Sequence, residues 1–360
     1  MKRLKFAIIG CGRISYKHVE ALVNNKEEAE LVATCDVIIE NANNKKEEYE
    51  KNMSDESVSV NAYTDYKEMI EKEDIDVVTI ATESGYHYEI AIYCMNKGKH
   101  VIVEKPMALS TKDADEMIEV AHKNNVKLSI CHQNRFNKPI VKLRDAIEND
   151  KFGKLINGTA RILWNRNMGY YEQAPWRGTW ELDGGTLMNQ CIHNIDLLQW
   201  MLGGEIDTVY AQCDTFLRDI EAEDFGAILI RFKNGAIGIV EGTACVFPKN
   251  LEETLSIFGE KGTVAIGGLA VNELETWRFD GDDEEEIKKE LKTEIDNVYG
   301  KGHTPLFKNV IDAINYDRQP LISGEEGKKA MSIILAAYKS RKIGLPVKFP
   351  VGDFSTLDMK

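Results

Sequence analysis

The sequence predicts two domains of different class: an α/β domain on a parallel sheet, then an α+β domain on an open, mainly antiparallel sheet. Three observations predict this. A short apolar strand near the N-terminus runs straight into a glycine turn and a helical pattern; strands alternate with helical patterns over the first third; and after Lys154 strand-like runs follow one another without helices between them. The boundary is expected after Cys131, giving domains 1–131 and 132–360, with the C-terminal helical pattern available to pack back on the first domain.

At 360 residues the chain can bury two cores, and its 29% charged and 43% hydrophobic residues are ordinary globular composition. A net charge of -14 argues against nucleic acid or an anionic membrane as partner, since both would be repelled. The apolar run after the basic N-terminus, Phe6 to Ile9, is too short for a signal sequence, and no stretch approaches a transmembrane span. The seven cysteines are scattered, with no Cys-x-x-Cys, and no metal-ligand spacing occurs. The expectation is a reduced, cytoplasmic protein without a bound metal.

The strand from Lys5 to Ile9 leads into Gly10-Cys11-Gly12-Arg13-Ile14-Ser15, and Ile14, His18, Ala21 and Leu22 recur at helical spacing. Strand, glycine turn and helix form the context that the Rossmann dinucleotide fingerprint requires: the backbone comes close to a pyrophosphate, whose charge sits at the helix N-terminus. Ser15 takes the place of the third glycine. The next strand, Glu30 to Cys35, ends in Asp36, a carboxylate placed to accept hydrogen bonds from the adenosine ribose and to repel a 2′-phosphate. Val37-Ile38 supply no arginine, so NAD is favoured over NADP.

Asp76 to Ala81 is a third strand, followed by Thr82 and, at the start of a helical stretch, His87. His100 to Val103 is a fourth, ending in Glu104-Lys105-Pro106. Thr82, His87 and Lys105 therefore fall at the carboxyl edge of the sheet, where open α/β folds bind ligands. For His87 a packing role is an equal alternative. Val126 to Ile130 completes the series and leads into His132, read as packing, and Gln133, a cofactor candidate.

In the second domain the strand-like runs are Leu155–Leu163, Thr208–Thr215, Phe225–Phe232, Ala236–Thr243, Glu253–Phe258, Thr263–Ile266 and Leu274–Phe279, with hairpin signals at Asn234-Gly235 and Lys261-Gly262. Such a sheet needs cover on both faces, and a homo-oligomer, dimer or tetramer, would supply it. The acidic run Asp280 to Glu286 reads as a solvated loop. Gly184-Gly185 precedes a helix on which Asn189 and His193 are i,i+4 neighbours, with Asp196 one turn further on nearly the same face. Trp176 and Trp180 around Arg177 suit a floor for a flat cofactor and a sugar. Arg166 and Tyr171 are candidates for the diphosphate or carboxylate of an anionic substrate, and a solvated loop is an equal reading for each.

Together, Gly-x-Gly-Arg-Ile, Asp36, Glu104-Lys105-Pro106 and the Gly-Gly helix with His193-x-x-Asp196-Leu197-Leu198 resemble the glucose-fructose oxidoreductase, inositol dehydrogenase and MocA family, from about Lys5 to Lys342. Ala174-Pro175-Trp176-Arg177-Gly178-Thr179-Trp180, Met188-Asn189-Gln190 and Asp219 to Asp224 are similar to a narrower group, the UDP-N-acetyl-2-amino-2-deoxyglucuronate dehydrogenases. The resemblance implies NAD-dependent oxidation of the sugar C3 hydroxyl for surface polysaccharide, including lipopolysaccharide. In that reading His193 is the general base, Lys105 holds the same oxygen, and Glu104, Trp176 and Arg177 contact the cofactor together with Gly10, Gly12, Arg13, Ile14, Asp36, Thr82, His87 and Gln133. Lys105, Asn189, His193, Arg166 and Tyr171 hold the substrate. The family's commoner aspartate four residues before the histidine is Asn189 here. Competing readings are dehydrogenation of another nucleotide sugar, such as UDP-N-acetylglucosamine, or of a free polyol such as inositol, and a non-enzymatic NAD-binding regulator.

Overall fold

The computed structural model describes residues 3–53, 58–203, 205–292 and 300–360. In chain order the elements are β1 Leu4–Ile9, α1 Ser15–Asn24, β2 Ala29–Cys35, α2 Ile39–Met53, β3 Asn61–Tyr63, α3 Tyr66–Lys72, β4 Val77–Ile80, α4 His87–Asn96, β5 His100–Val103, α5 Thr111–Lys123, β6 Leu128–Ile130 and α6 Lys138–Glu148. There follow β7 Leu155–Leu163, α7 Met168–Tyr171, α8 Thr186–Asn189, α9 Ile192–Leu202, β8 Ile206–Asp214, β9 Phe225–Phe232, β10 Ile237–Thr243, β11 Glu252–Gly259, β12 Gly262–Gly267, β13 Glu273–Phe279, α10 Glu284–Leu291, α11 His303–Asn315, α12 Gly324–Ile343 and β14 Val347–Lys348.

Two units result. The first comprises Met1–Ala108, Lys112–Cys131 and His303–Lys328, and the second Leu109–Thr111, His132–Gly302 and Lys329–Lys360. The single cut expected after Cys131 is thus amended, because α11 belongs to the first unit. Its apolar stripe, Leu306, Phe307, Val310 and Ile311, is buried, and Phe307 lies against Phe6 and edge-on to His18. Periodicity marks such a stripe but not the surface that covers it.

The first unit is a six-stranded parallel sheet in the order β3-β2-β1-β4-β5-β6. Strands β4 and β5 are mostly apolar, broken by Thr79 and the half-buried His100, and otherwise buried, as parallel strands covered on both faces must be. The strand order reverses between β1 and β4, and a ligand crevice opens at the carboxyl ends of such a pair. Register aligns those ends: Ile9 pairs with Cys35 and with Ile80, and Ile80 pairs with Val103. The residues that follow, Gly10, Asp36, Ala81 and Glu104, therefore emerge side by side.

The second unit carries an eight-stranded sheet in the order β13-β12-β11-β7-β10-β9-β8-β14, antiparallel except where β7 meets β10. Residues alternate between buried and exposed along β8 and β9. The inner face receives α8 and α9 closely: a Cβ at Gly158 would lie 2.8 Å from Leu198, and one at Gly242 2.6 Å from the Cys191 sulfur. The outer face presents Ile156, Tyr210, Leu229 and Ile239. The acidic run is not simply a loop. Asp283 caps α10, its side chain accepting from the N–H groups of Glu285 and Glu286, and Asp282 takes a hydrogen bond from the Trp277 indole and pairs with Lys151. All seven cysteines are free, six of them buried, and no described helix is long and apolar enough to cross a membrane.

Candidate active site

Gly10 has φ +89°, and a Cβ there would lie 2.6 Å from the Ala81 carbonyl carbon and the Thr82 nitrogen, so only glycine fits between the ends of β1 and β4. Gly12 faces open space. The Ser15 hydroxyl donates to the Gly12 carbonyl at 2.6 Å, so the third small position is held by a hydrogen bond as well as by size. Ile14 at the N-cap offers no capping side chain to the first N–H groups of α1, and Arg13 is exposed beside it. Asp36 is half-buried: one oxygen accepts the Cys11 N–H at 2.8 Å, the other the Ile38 N–H at 2.9 Å. Val37 and Ile38 are exposed and no cation follows the carboxylate. A helix start without a capping side chain, a glycine cradle and an acid at the second strand end fit a dinucleotide without a 2′-phosphate.

At the end of β5, Glu104 and Lys105 diverge. Glu104 turns into the core, where Oε1 lies 3.0 Å from His18 Nε2 and 3.2 Å from His303 Nε2. Burial pushes this carboxyl up, but hydrogen bonds from the two imidazoles outweigh it and hold it well below the usual carboxylate range. An ionised Glu104 can only accept, so both Nε2 atoms carry hydrogen. His18 Nδ1 then accepts from the Thr79 hydroxyl at 2.6 Å. Burial holds His303 in its neutral form and raises the neighbouring Cys131 thiol well above its ordinary value. The cofactor contact expected of Glu104 is thus not one its carboxylate is placed to make; it anchors the Lys105 peptide, whose N–H is 3.3 Å from Oε2. The ligand atoms of His18, Glu104, Cys131 and His303 lie within 4.8 Å of one another, a set that could hold a divalent metal. Hydrogen bonds join His18, Glu104, His303 and Thr79, while His303 Nδ1 is buried without a hydrogen-bond partner. No sequence motif announces the group, because its members are far apart along the chain.

His87 is fully buried, its Nδ1 2.7 Å from the Pro106 carbonyl and its Nε2 3.1 Å from the Thr82 carbonyl. This is the packing alternative: the ring ties the loop after β4 to the Lys105-Pro106 turn, which contains a cis peptide. Burial depresses its pKa, so the single N–H of the neutral ring makes the shorter bond, to Pro106. Lys105 itself is half-buried.

In the second unit the expected continuous helix is two. Helix α8 ends at Asn189, and Gln190 and Cys191 intervene before α9 starts at Ile192. His193 therefore stands in the first turn of α9, half-buried, with Gln133 Nε2 3.5 Å from its Nε2 and the His132 ring edge-on at 5.8 Å. Gln133, expected at the cofactor, is beside the histidine. Asp196 does not share the face of His193. It is fully buried in a fork from Arg135, Nε to Oδ2 2.7 Å and Nη2 to Oδ1 2.6 Å, and Arg135 outweighs the burial that would raise its pKa.

A chain of polar contacts leads away from Asn189. Its amide donates to Asp183, whose other oxygen accepts the Gly178 N–H at 2.8 Å. Gln190 Nε2 reaches Asn189 Oδ1 at 3.2 Å and the Tyr170 hydroxyl at 2.9 Å, while Gln190 Oε1 accepts from Arg166 Nε at 3.2 Å. The guanidinium of Arg177 lies 4.2 Å over the Tyr170 ring and 4.5 Å over Trp176; that of Arg166 lies 4.5 Å over Trp164 and 5.2 Å over Tyr170. The sequence singles out Tyr171, but that ring is buried and its phenol raised by burial, and Tyr170 meets the arginines. Trp180 is core, packed edge-on to Tyr338, and does not form a floor with Trp176.

Glu223 braces this region. One oxygen accepts the Leu187 N–H at 2.6 Å in the first turn of α8 and is 3.0 Å from the Tyr338 hydroxyl, which itself donates to the Gly184 carbonyl at 2.7 Å. With no cation beside it among the described residues, burial pushes its carboxyl up to about 8.

Residues 4–132 match the oxidoreductase family with an NAD-binding Rossmann fold, and residues 140–265 match the GFO/IDH/MocA C-terminal domain. Among solved structures, the WlbA dehydrogenase of Bordetella pertussis, in complex with NADH and UDP-GlcNAcA, is 34% identical over 97% of this chain and 99% of its own, with a TM-score of 0.85. WlbA from Chromobacterium violaceum, with the same two ligands, is 34% identical over 98% and 97%, with a TM-score of 0.87. The myo-inositol 2-dehydrogenase of Thermotoga maritima is 27% identical over 94% of this chain and 96% of its own.

Proposed function

The chain belongs to the GFO/IDH/MocA oxidoreductase family as an NAD-dependent sugar dehydrogenase, and we propose that its substrate is a nucleotide-linked sugar acid, UDP-N-acetyl-2-amino-2-deoxyglucuronate, oxidised at the C3 hydroxyl to the 3-keto sugar. One observation carries this choice: the full-length relatives at 34% identity hold UDP-GlcNAcA, whereas the inositol dehydrogenase matched over comparable length is 27% identical. Surface-polysaccharide synthesis is the biological setting that goes with such a product.

Bound NAD supplies the hydride acceptor. Gly10, Gly12 and the first turn of α1 would take its diphosphate, and Asp36 the adenosine ribose. His193 removes the proton from O3, its Nε2 held as an acceptor by the long contact from the Gln133 amide. Lys105, anchored through the Glu104 network, hydrogen-bonds the same oxygen and stabilises negative charge as the proton departs. Asn189, held by Asp183, offers an uncharged partner to a sugar hydroxyl, so no second carboxylate competes for the base. The outer sheet face with Ile156, Tyr210, Leu229 and Ile239 is the surface on which a second copy would pack, giving a homo-oligomer in solution.

The test is NADH formation, followed by near-ultraviolet absorbance, with UDP-N-acetylglucosaminuronate, UDP-N-acetylglucosamine and myo-inositol in parallel. The first should turn over fastest, and exclusive activity on inositol would favour the second reading, a polyol dehydrogenase, which the Thermotoga relative supports. His193→Ala should lower kcat by about 10²- to 10⁴-fold; an unchanged kcat removes His193 as the base.

A further inference from the structure

Four buried side chains with metal-binding atoms converge inside the first unit: His18 on α1, Glu104 just past β5, Cys131 just past β6 and His303 at the start of α11. Their ligand atoms lie within 4.8 Å of one another, and they are the one such group among the described residues. Glu104 Oε1 is 3.0 Å from His18 Nε2 and 3.2 Å from His303 Nε2. Nitrogen and oxygen ligands at about 2.0–2.1 Å from a tetrahedral zinc ion stand about 3.3 Å apart, and a thiolate at about 2.3 Å stands slightly further from the rest. The two separations at Glu104 are already near that spacing. The widest pair has to close by about 1 Å, a movement within reach of side-chain torsions.

The donor set selects the ion. Two imidazoles, a thiolate and a carboxylate suit zinc, whereas magnesium and calcium take oxygen ligands. Zinc also balances charge: Glu104 and a Cys131 thiolate bring two negative charges into the core, and a divalent cation cancels both. We propose that His18, Glu104, Cys131 and His303 form a closed structural zinc site that pins α1 and α11 to the ends of β5 and β6. This departs from the metal-free protein that residue spacing leads one to expect, and it is independent of the substrate reading. On binding, the Cys131 thiol gives its proton to solvent, while each imidazole stays neutral and carries its hydrogen on the nitrogen turned away from the ion. In His18 that hydrogen points to the Thr79 hydroxyl, 2.6 Å from Nδ1, which then accepts and fixes the ring. Nothing outside the group competes for His303, since Nε2 faces Glu104 and Nδ1 is buried without a hydrogen-bond partner. Zinc on Oε1 leaves Oε2 to the Lys105 N–H, 3.3 Å away, so the ion stiffens the strand end from which Lys105 rises. Four protein ligands leave no open position, which makes the site structural and not catalytic.

The experiment measures zinc in the full-length, untagged protein purified without chelator, by plasma mass spectrometry, and then follows zinc added back to chelator-treated protein by its thermal midpoint and by competition with a chromophoric chelator. The wild type should carry about one zinc per chain, and restoring it should raise the midpoint by about 5 °C. Cys131→Ala, a small change in the core, and His303→Gln should each weaken zinc binding by about a hundredfold or more and abolish the midpoint shift. A metal-free midpoint of Cys131→Ala close to that of the metal-free wild type reports that this variant is folded. Cobalt in place of zinc should give a thiolate-to-metal charge-transfer band in the near ultraviolet, absent from Cys131→Ala. A wild type that retains no zinc and gains no stability when zinc is added overturns the site. So does zinc held with unchanged affinity in Cys131→Ala or in His303→Gln, or a cobalt spectrum without the thiolate band, since each would place the bound ion on other residues.

Discussion

Glu223→Gln should make the protein more stable, and increasingly so as pH rises. Glu223 is 2% exposed and its carboxyl is raised to about 8 by burial. In the unfolded chain a glutamate titrates near 4.5. Between those values the folded state holds a proton that the unfolded state releases, so folding must take up a proton and stability falls as pH rises. The slope is about 1.4 kcal/mol per pH unit, which at pH 7 amounts to about 3 kcal/mol. Glutamine has the shape of the protonated acid and nothing to titrate. Its carbonyl can stand where Oε1 does, keeping the bond from the Leu187 N–H and the contact with the Tyr338 hydroxyl, with the amide in the place of the second oxygen. The variant should therefore match the wild type within about 1 kcal/mol at pH 5 and exceed it progressively up to pH 8. Urea midpoints across that range give the answer. Parallel pH profiles for the two proteins would refute the assignment of a neutral Glu223, and a variant less stable at pH 8 than the wild type would refute the hydrogen-bond geometry as well.

Glu104→Ala should cost about 2–4 kcal/mol in urea, because it strands the N–H groups of two buried imidazoles, with Glu104→Gln losing less since one acceptor remains. The wild type should lose stability as pH falls below about 6.5, where unfolded histidine takes up protons that the buried His303 refuses, and lose more as pH drops through the depressed pKa of Glu104; an acid profile unchanged in Glu104→Gln would contradict this. Gly10→Ala should unfold or misfold the first unit, whereas Gly12→Ala, facing open space, should leave the thermal midpoint nearly unchanged and raise KM for NAD about tenfold or more. Asp36→Asn should raise KM for NAD and lower KM for NADP by removing the charge that repels a 2′-phosphate, and steady-state kinetics with both cofactors checks it.

What the sequence made legible in this protein follows the range of the interactions involved. Gly10 and Asp36 directly follow parallel strands and Thr82 and Lys105 stand one residue further on, and register among β1, β2, β4 and β5 brings those strand ends together. Local pattern and position are enough for that. The partners of Glu104 were invisible because His18 and His303 come from helices that only tertiary packing joins. Asp196 was misplaced for a related reason: i,i+4 spacing presumes one continuous helix, and neither the break at Gln190 and Cys191 nor the claim of Arg135 on that carboxylate leaves a local trace. Tyr170 and Tyr171 show the limit at its sharpest. Adjacent and chemically identical, they separate only because one ring enters the core and the other lies under two guanidiniums. The same distinction bears on Lys105. Its sequence neighbour Glu104 looks like a surface ion-pair partner, yet that acid is the most deeply engaged carboxylate of the first unit's ligand edge, and it fixes where the lysine's backbone stands. Substitutions at Glu104, His18 and His303 should therefore perturb the chemistry assigned to Lys105 more than substitutions at exposed residues nearer to it in sequence.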